Sequence, residues 1–336
     1  MTPFALSRAA TPAEAVGLLG TSPDARFIAG GTNLVDLMKE GVERPGRLVD
    51  ITRLDGLRGI AEAPGGGLIV GALATNAELA DDPRVRGRLP LVAQAVLAGA
   101  SPQLRNAATT GGNLLQRTRC SYFTDPAMPC NKRAPGAGCA AREGHHRIHA
   151  VLGWSEACIA THPSDMAVAM LAHDASVRVL GPGGERALSL ADLHRLPGND
   201  PSRDTTLAHG ELVTAVELPP SRFGPRVHYL KVRERSSYAF AAVSVAAALR
   251  LEDGRIAEAR VVLGGVAHKP WRSEAAEAAL LGAAPGRAAF DRAGAAAVAE
   301  ARPLPGTAYK VPLARRAVAR ALELAAEGSP SFAVSD

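Results

Sequence analysis

Two short segments with adjacent glycines, about eighty residues apart, constrain the fold of this chain most. They are residues 29–34, with the sequence AGGTNL, and residues 109–114, with the sequence TTGGNL. Adjacent glycines permit positive φ and let a ligand approach the bare backbone, while the amides that follow can form an anion nest. The spacing differs from the G-x-G-x-x-G of a Rossmann fold. The two turns therefore predict a ligand with two phosphates, a dinucleotide, bound outside a Rossmann fold.

The order of apolar patterns predicts two domains. Helices and strands alternate up to a proline-containing stretch near residue 220, where we place the boundary between residues 1–222 and 223–330. The second domain is expected to contain three antiparallel strands, two of them joined by a tight turn at Asp253 and Gly254. Three alanine-rich helical segments follow these strands, which predicts a small α+β domain.

Residues 117–160 show no sustained helical or strand periodicity, and loops of this length are usually functional or disordered. The four cysteines of the chain all fall within 39 residues of this segment, with the spacing C-x9-C-x8-C-x18-C. That spacing is unlike the compact C-x2-C of zinc ribbons or ferredoxins. It leaves an iron–sulfur cluster, a zinc site, two disulfides or four unrelated thiols as alternatives. The four residues are Cys120, Cys130, Cys139 and Cys158.

The net charge of +5 is concentrated in the same loop. Between Arg117 and His149 there are six basic residues and two acids, which gives +4 locally. This local charge would offset the negative charge of a thiolate-bound cluster and does not predict a general polyanion-binding surface. Thirteen aromatic residues are few for stacking on bases, so we expect no nucleic-acid partner.

The chain contains no run of eighteen or more apolar residues and no signal pattern at its N-terminus. We therefore expect no membrane insertion. A cytoplasmic location is expected from the sequence, or a periplasmic one if the chain is exported together with a partner.

Two further segments carry motifs that are considered together with the two glycine turns. Residues 161–166, with the sequence THPSDM, place Ser164 or Asp165 at the start of a predicted helix, where a carboxylate can also accept hydrogen bonds from sugar hydroxyls. Residues 229–233, with the sequence YLKVR, open the C-terminal domain. Together with the glycine turns, they resemble the flavin subunits of the xanthine dehydrogenase, or molybdenum hydroxylase, family over essentially the whole chain.

The resemblance implies an α+β fold, in which a PCMH-type FAD-binding domain of two subdomains carries the inserted loop at about 117–160. The small C-terminal domain follows it. The resemblance implies that FAD is bound by Phe27, Ile28, Ala29, Gly30, Gly31, Thr32, Asn33, Leu34, Val35, Thr109, Thr110, Gly112, Asn113, Asp165 and Lys231. Lys231 would stabilise negative charge on the reduced flavin, with a salt-bridged surface lysine as the alternative.

The cysteine loop is similar to that of bacterial aldehyde oxidoreductases acting on aromatic aldehydes. This similarity implies an additional [4Fe–4S] cluster whose metal ligands are Cys120, Cys130, Cys139 and Cys158. Because four cysteines complete the ligand set, the nearby histidines are expected to be solvated or to support the ligands. These histidines are His145, His146, His149 and His162.

The function implied is an electron-transfer subunit of a heteromeric molybdenum-dependent aldehyde oxidoreductase. Electrons would pass from a large molybdopterin-binding subunit, through a small [2Fe–2S] subunit, to FAD and an external acceptor. The molybdenum cofactor and the [2Fe–2S] clusters are expected only on these partners, in a heterotrimer or its dimer. The substrate is expected to be oxidised on a partner, and no catalytic acid, base or nucleophile is expected in this chain.

Several alternatives remain. Within the family they are the flavin subunits of a benzoyl-CoA-type reductase and of xanthine dehydrogenase. A stand-alone flavin oxidase commonly attaches flavin through a His or Cys near the first glycine turn, but neither residue type occurs before Cys120. An alternative of another class is a zinc-stabilised binding module that uses the basic loop to contact an acidic partner.

Overall fold

Three β-sheets organise residues 1–328, the part of the chain that this computed structural model describes. The first sheet is parallel, with the order β1-β3-β2, and carries two helices. Its elements are β1 (Ala5–Arg8), α1 (Pro12–Gly20), β2 (Ala25–Ile28), α2 (Leu34–Lys39) and β3 (Arg47–Asp50). The Thr11 side chain accepts a hydrogen bond from the Glu14 amide and so caps α1.

The second sheet is antiparallel, with the order β4-β5-β8-β6-β7. Its strands are β4 (Ile60–Glu62), β5 (Leu68–Gly71), β6 (Ser176–Gly181), β7 (Gly184–Ser189) and β8 (Leu212–Leu218). The intervening helices are α3 (Asn76–Asp81), α4 (Pro83–Arg88), α5 (Pro90–Ala98), α6 (Pro102–Ala107), α7 (Thr110–Leu114), α8 (Ser121–Thr124), α9 (Asp165–Ala172) and α10 (Leu190–Leu193). Every residue of α9 is buried, which makes this helix the centre of the largest apolar cluster.

The segment 117–160 is largely irregular, as expected. It contains only the single-turn helix α8 and a short 3₁₀ turn at Ala140–Arg142. Its shape therefore depends on side-chain contacts to the rest of the molecule.

The C-terminal sheet has four strands in the order β12-β11-β10-β9, so the expectation of three strands was one short. The additional strand has two residues and pairs with the edge of β11, too short a segment to show strand periodicity. The elements are β9 (Val227–Val232), β10 (Val243–Glu252), β11 (Arg255–Gly264), β12 (Trp271–Arg272), α11 (Glu274–Leu280), α12 (Arg287–Ala297) and α13 (Lys310–Glu327).

Both faces of the C-terminal sheet are covered. Along β10, Val245 and Ala247 belong to the cluster with α11–α13, whereas Ala246 and Ala248 belong to the cluster with α5 and α9. This alternation is the period of two that a strand imposes on its side chains. The C-terminal sheet is thus fixed against α5 and α9 of the first domain. Within residues 1–328, no helix combines the length and apolar character needed to cross a membrane.

Candidate dinucleotide groove and cysteine cavity

A groove with two lobes passes over both glycine turns. The first lobe, of about 290 Å³, lies between residues 26–34 and β8, and the second, of about 350 Å³, is lined by Asp165 and Lys231. Thr32, Asn33 and Gly112 line both lobes. The lobes therefore meet at the glycine turns, which suits an extended ligand with its phosphates at the junction and one arm in each lobe.

The first turn brings the backbone close to the chain that precedes the second turn. A Cβ atom at Gly30 would lie 1.8 Å from the Ala107 carbonyl oxygen, and Gly31 has φ +72°. Only glycine fits both requirements. Beside them, Asn33 Oδ1 accepts a hydrogen bond from the Arg117 amide, while Asn33 Nδ2 is buried without a partner. This amide donor is available to a ligand phosphate at the junction.

The second turn differs from the expectation that it repeats the first. Gly111 and Gly112 lie within α7 and have no positive φ, because Thr109 caps this helix by accepting a hydrogen bond from the Gly112 amide. Position 111 has little space for a side chain, since a Cβ atom there would lie 3.1 Å from Ala72 Cβ. The polar edge of the groove at this point is formed by Asn113, whose Oδ1 accepts hydrogen bonds from neighbouring side chains.

The far end of the second lobe contains a buried ion pair. Lys231 Nζ lies 2.7 Å from Asp165 Oδ2, and the Tyr229 hydroxyl donates a 2.6 Å hydrogen bond to Asp165 Oδ1. Burial, reinforced by the nearby carboxylate, raises the pKa of Tyr229 well above its usual value. The tyrosine therefore remains a neutral donor, and the three side chains form one rigid polar cluster. Tyr229 lies in a segment singled out from the sequence, but no pattern assigned it this role.

Most of the fifteen residues that the sequence assigned to a cofactor line this groove, and two do not. Phe27, Ile28, Ala29, Gly30, Gly31, Thr32, Asn33, Leu34, Thr109 and Gly112 line the first lobe, and Asn113, Asp165 and Lys231 line the second. The Thr110 hydroxyl is fully buried and donates to the Ala74 carbonyl oxygen. Val35 lies behind the turn, with Cγ2 3.0 Å from the position of a Gly31 Cβ.

The four cysteines converge from three parts of the loop onto one small cavity. All four are free thiols, so the disulfide alternative is not realised, and three of them are buried. A β-bridge pairs Cys130 with Cys139. Burial raises the pKa of Cys120 to about 11 and that of Cys158 to about 12. No group of three or more His, Cys, Asp or Glu side chains in residues 1–328 is arranged to hold a metal ion.

Hydrogen-bond donors nevertheless point at the sulfur atoms. Cys120 accepts from the amides of Tyr122 and Phe123, and His149 Nε2 lies 3.1 Å from Cys120 Sγ. Because burial lowers the pKa of His149 to about 4, its imidazole is neutral, and Nε2–H can donate to the sulfur. Such donors stabilise a thiolate more than a thiol. The donors in the cavity therefore favour thiolates, but a bound cation would have to stabilise their buried negative charge.

A buried network of charges joins the groove to the cavity. Arg117 lines the first lobe and forms ion pairs with Glu43 at 2.5 Å and with Asp204 at 2.8 Å. Lys132 lines the cysteine cavity and donates to the same Asp204 carboxylate. His268 Nε2 lies 2.7 Å from Lys132 Nζ and 3.7 Å from Asp204 Oδ1, and its Nδ1 contacts a carbonyl oxygen. Neither Arg117 nor Asp204 was assigned a binding role from the sequence.

Taken by themselves, the fold and groove define a protein that binds a dinucleotide without a Rossmann fold. Residues 2–221 match the family model described as the FAD binding domain in molybdopterin dehydrogenase. Residues 228–325 match the CO dehydrogenase flavoprotein C-terminal domain. The chain belongs to this family of flavin subunits, which makes it an FAD-binding subunit of an oxidoreductase of the molybdenum hydroxylase family. The predicted family, fold class and FAD are thereby confirmed.

Individual relatives cover nearly the full length of the chain. The aldehyde oxidoreductase FAD-binding subunit PaoB of Escherichia coli is 53% identical over 96% of this chain and 98% of its own. The carbon monoxide dehydrogenase medium chain of Hydrogenophaga pseudoflava is 30% identical over 93% of each chain. A solved structure of carbon monoxide dehydrogenase from the same organism superposes with a TM-score of 0.77 at 28% identity, covering 97% of this chain and 98% of that one.

Proposed function

We propose that this chain is the FAD-binding electron-transfer subunit of a heteromeric, molybdenum-dependent aldehyde oxidoreductase. The two-lobed groove joined at the glycine turns carries the cofactor part of this proposal. The 53% identity to a relative named as an aldehyde oxidoreductase subunit supports the substrate class. Electrons released on a partner would pass through FAD to an external acceptor.

In this proposal the chain binds and orients FAD, and FAD supplies the redox chemistry. The pyrophosphate would lie at the junction of the lobes, near the free Asn33 Nδ2 and the start of α7. Lys231 would stabilise negative charge on the reduced flavin, held in place by Asp165. Thr110 and Val35 would act indirectly, by fixing the backbone of the two turns.

We also assign residues 1–222 to the FAD-binding domain and residues 223–330 to the C-terminal domain; residues 329 and 330 lie outside the described residues. Partners would be a large molybdopterin-binding subunit and a small [2Fe–2S] subunit, in a heterotrimer or its dimer. The compartment would be that of the partners.

The cysteine cavity is proposed to hold a [4Fe–4S] cluster. Four thiols line one cavity, and backbone amides and an imidazole donate to Cys120. The buried ammonium of Lys132 lies beside the cavity and would offset the charge of the thiolates. Hydrogen bonds to sulfur and nearby positive charge are the features that tune iron–sulfur sites.

Zinc is the competing occupant. A zinc ion holds four thiolates at about 2.3 Å, which requires the sulfur atoms to be nearly in contact with one another. No three potential ligands in the described chain are arranged around a single ion. A four-iron cluster keeps its thiolates farther apart, so the lack of a single-ion arrangement in residues 1–328 weighs against zinc and not against the cluster.

The test of function is to purify the chain together with its co-expressed partner subunits. We expect about one FAD per copy of this chain, released by acid precipitation, together with oxidation of benzaldehyde using a dye as acceptor. Absence of FAD would contradict the electron-transfer role. Oxidation of xanthine without oxidation of benzaldehyde would instead favour the xanthine dehydrogenase alternative, to whose FAD-binding subunit the chain is 29% identical over 80% of its length.

The test of the cluster uses the same complex. Iron and acid-labile sulfide are compared between the wild type and Cys130→Ser. We expect the variant to lose about four iron atoms and four sulfides per protomer, because an incompletely ligated cubane is labile. Equal iron in both proteins, or zinc in place of the missing iron, would reject the cluster and leave the FAD assignment intact.

A further inference from the structure

Arg119 lies at the point where the cysteine loop meets the cofactor groove. It immediately precedes Cys120 in sequence, and its side chain lines the second lobe of the groove together with Thr32, Asn33 and Asn113. It also lines the adjoining cavity beneath residues 234–242. The residue next to a proposed cluster ligand thus faces the FAD site directly.

The guanidinium of Arg119 has no hydrogen-bond or ion-pair partner in the described chain. Arg119 Nε is buried without a hydrogen bond, and no carboxylate of residues 1–328 forms an ion pair with this side chain. Two residues earlier, Arg117 has both Glu43 and Asp204 as partners. Arg119 is half-buried, and leaving its buried Nε unsatisfied is costly, so an anion bound in the groove would remove that cost.

The guanidinium of Arg119 contacts an aromatic ring. Its guanidinium carbon lies 5.0 Å from the centre of the Phe240 ring, within the range of a cation–π contact. Phe240 belongs to the segment after Lys231 and also lines the second lobe. A cation–π contact uses none of the N–H donors of the guanidinium, and these can donate two parallel hydrogen bonds to a phosphate.

We propose that Arg119 binds the pyrophosphate of FAD and links FAD affinity to the state of the cysteine loop. The phosphates are the anionic groups of the cofactor, and the donors expected to hold them, at the first turn and at Asn113, share the second lobe with Arg119. The proposed contact between Arg119 and the pyrophosphate depends only on the binding of FAD in the groove. The linkage rests additionally on the proposed cluster, because the ligand Cys120 would fix the backbone of its neighbour.

The phosphate contact is tested in the complex after removal of flavin. The dissociation constants of FAD and of riboflavin, which lacks phosphate, are measured for the wild type, Arg119→Gln and Arg119→Lys. We expect Arg119→Gln to raise the dissociation constant of FAD about tenfold or more, to leave that of riboflavin unchanged and to weaken the salt dependence of FAD binding. Arg119→Lys should restore part of the affinity.

Arg147→Gln is the matched control. Arg147 lies in the same loop and stacks on the Tyr309 ring at 4.2 Å, but it is exposed and pairs with Glu234. It should leave both dissociation constants unchanged. Equal weakening of FAD and riboflavin in Arg119→Gln would reduce Arg119 to a structural role, and unchanged FAD binding would remove it from the site.

The linkage is tested by a double-mutant cycle with Cys120→Ser. Loss of the cluster should weaken FAD binding in the Arg119 background and have a clearly smaller effect in the Arg119→Gln background. Additive effects would overturn the linkage. A wild type without iron would overturn the linkage together with the proposed cluster, while the comparison of FAD with riboflavin would still decide the phosphate contact.

Discussion

Arg117 Nε donates a 2.8 Å hydrogen bond to Asp204 Oδ2, and this ion pair connects the wall of the cofactor groove to the cysteine loop. The same carboxylate accepts from Lys132, whose side chain is only 1% exposed. Although burial alone would raise the pKa of Asp204, the adjacent His268, Lys132 and Arg117 hold it well below its usual value. Asp204 is therefore ionised at neutral pH and stabilises two buried cations.

We first expect Asp204→Asn to lower FAD and iron content together. The substitution leaves Lys132 and Arg117 without their shared carboxylate, and breaking a buried ion pair in this way costs about 3–5 kcal/mol. Thermal unfolding and cofactor analysis of the complex measure the effect. Asp200→Asn is the control, because Asp200 lies close to Asp204 in sequence but is exposed. A variant that lost iron but retained FAD fully would show that the network does not support the groove.

Lys231→Met should lower the reduction potential of the bound flavin. Without the ammonium, the carboxylate of Asp165 stays buried and uncompensated, which disfavours additional negative charge on the reduced cofactor. Spectroelectrochemical titration of the complex measures the potential. Lys231→Arg retains the charge and should stay close to the wild type. A potential unchanged in Lys231→Met would assign Lys231 to a purely structural ion pair.

Gly112→Val should abolish FAD binding while most of the fold survives. A Cβ atom at this position would lie 2.9 Å from Thr109 Oγ1, so the branched side chain would displace the cap of α7 and project into the junction of the lobes. Flavin content and circular dichroism are the measurements. Gly87→Val is the control, because a Cβ atom at Gly87 in α4 meets nothing within 4 Å. Normal flavin occupancy in Gly112→Val would exclude this glycine from the site.

The local parts of the fold and site were accessible from the sequence because short-range signals encode them. The tight turn at Asp253 and Gly254 was predicted from its residue types and joins β10 to β11, and the first glycine turn lies at the junction of the two lobes. Strand β7 was not foreseen because most of its residues are exposed, so it lacks the apolar alternation that marks a strand. The second turn was expected to repeat the first, in which glycine permits positive φ, but capping by Thr109 makes it the start of a helix instead.

The connections between the sites could not be predicted, because they join residues that are distant in sequence. Asp204 lies 87 positions from Arg117 and 72 from Lys132, and no periodic pattern marks it. Arg119 contributed to the basic charge of the loop, but a count of charges does not reveal which arginine lacks a hydrogen-bond or ion-pair partner. Clustering of the four cysteines predicted a shared site, whereas the donors to Cys120 depend on how an irregular loop folds.

Lys310 provides a prediction for stability against pH. Its ammonium is fully buried at the start of α13 and donates to the carbonyl oxygens of Ile148, His149 and Gly265. Burial lowers its pKa from 10.5 to about 7. Between these two pH values Lys310 binds more protons in the unfolded chain than in the folded chain. The free energy of unfolding therefore rises with pH over this range. The stability present above pH 10.5 is lost as the pH falls to about 7.

The wild type should therefore gain stability relative to Lys310→Met as pH rises from 7 to 9, by up to about 1.4 kcal/mol per pH unit. Urea unfolding of both proteins at several pH values measures this difference. A difference that stayed constant with pH would mean that the three carbonyl oxygens keep Lys310 protonated throughout the range.

The last prediction concerns the cysteine loop as a whole. Single replacement of Cys120, Cys130, Cys139 or Cys158 by Ser should lower iron by about four atoms per protomer, because each thiolate is one of four ligands. Without the metal, the loop has little regular structure to hold it and should become sensitive to protease. Iron analysis and limited proteolysis of each variant are the measurements.

The four variants should differ in their effect on FAD. Cys120 follows Asn113 by seven residues and Cys158 precedes Asp165 by seven, so both ends of the loop are attached to segments that line the groove. We expect partial loss of FAD in Cys120→Ser and Cys158→Ser and less in Cys130→Ser and Cys139→Ser, whose positions are farther from the groove in sequence. Iron unchanged in every variant, or a wild type that contains only zinc, would reject the iron–sulfur assignment. Complete loss of FAD in all four would show instead that the loop and the groove fold as one unit.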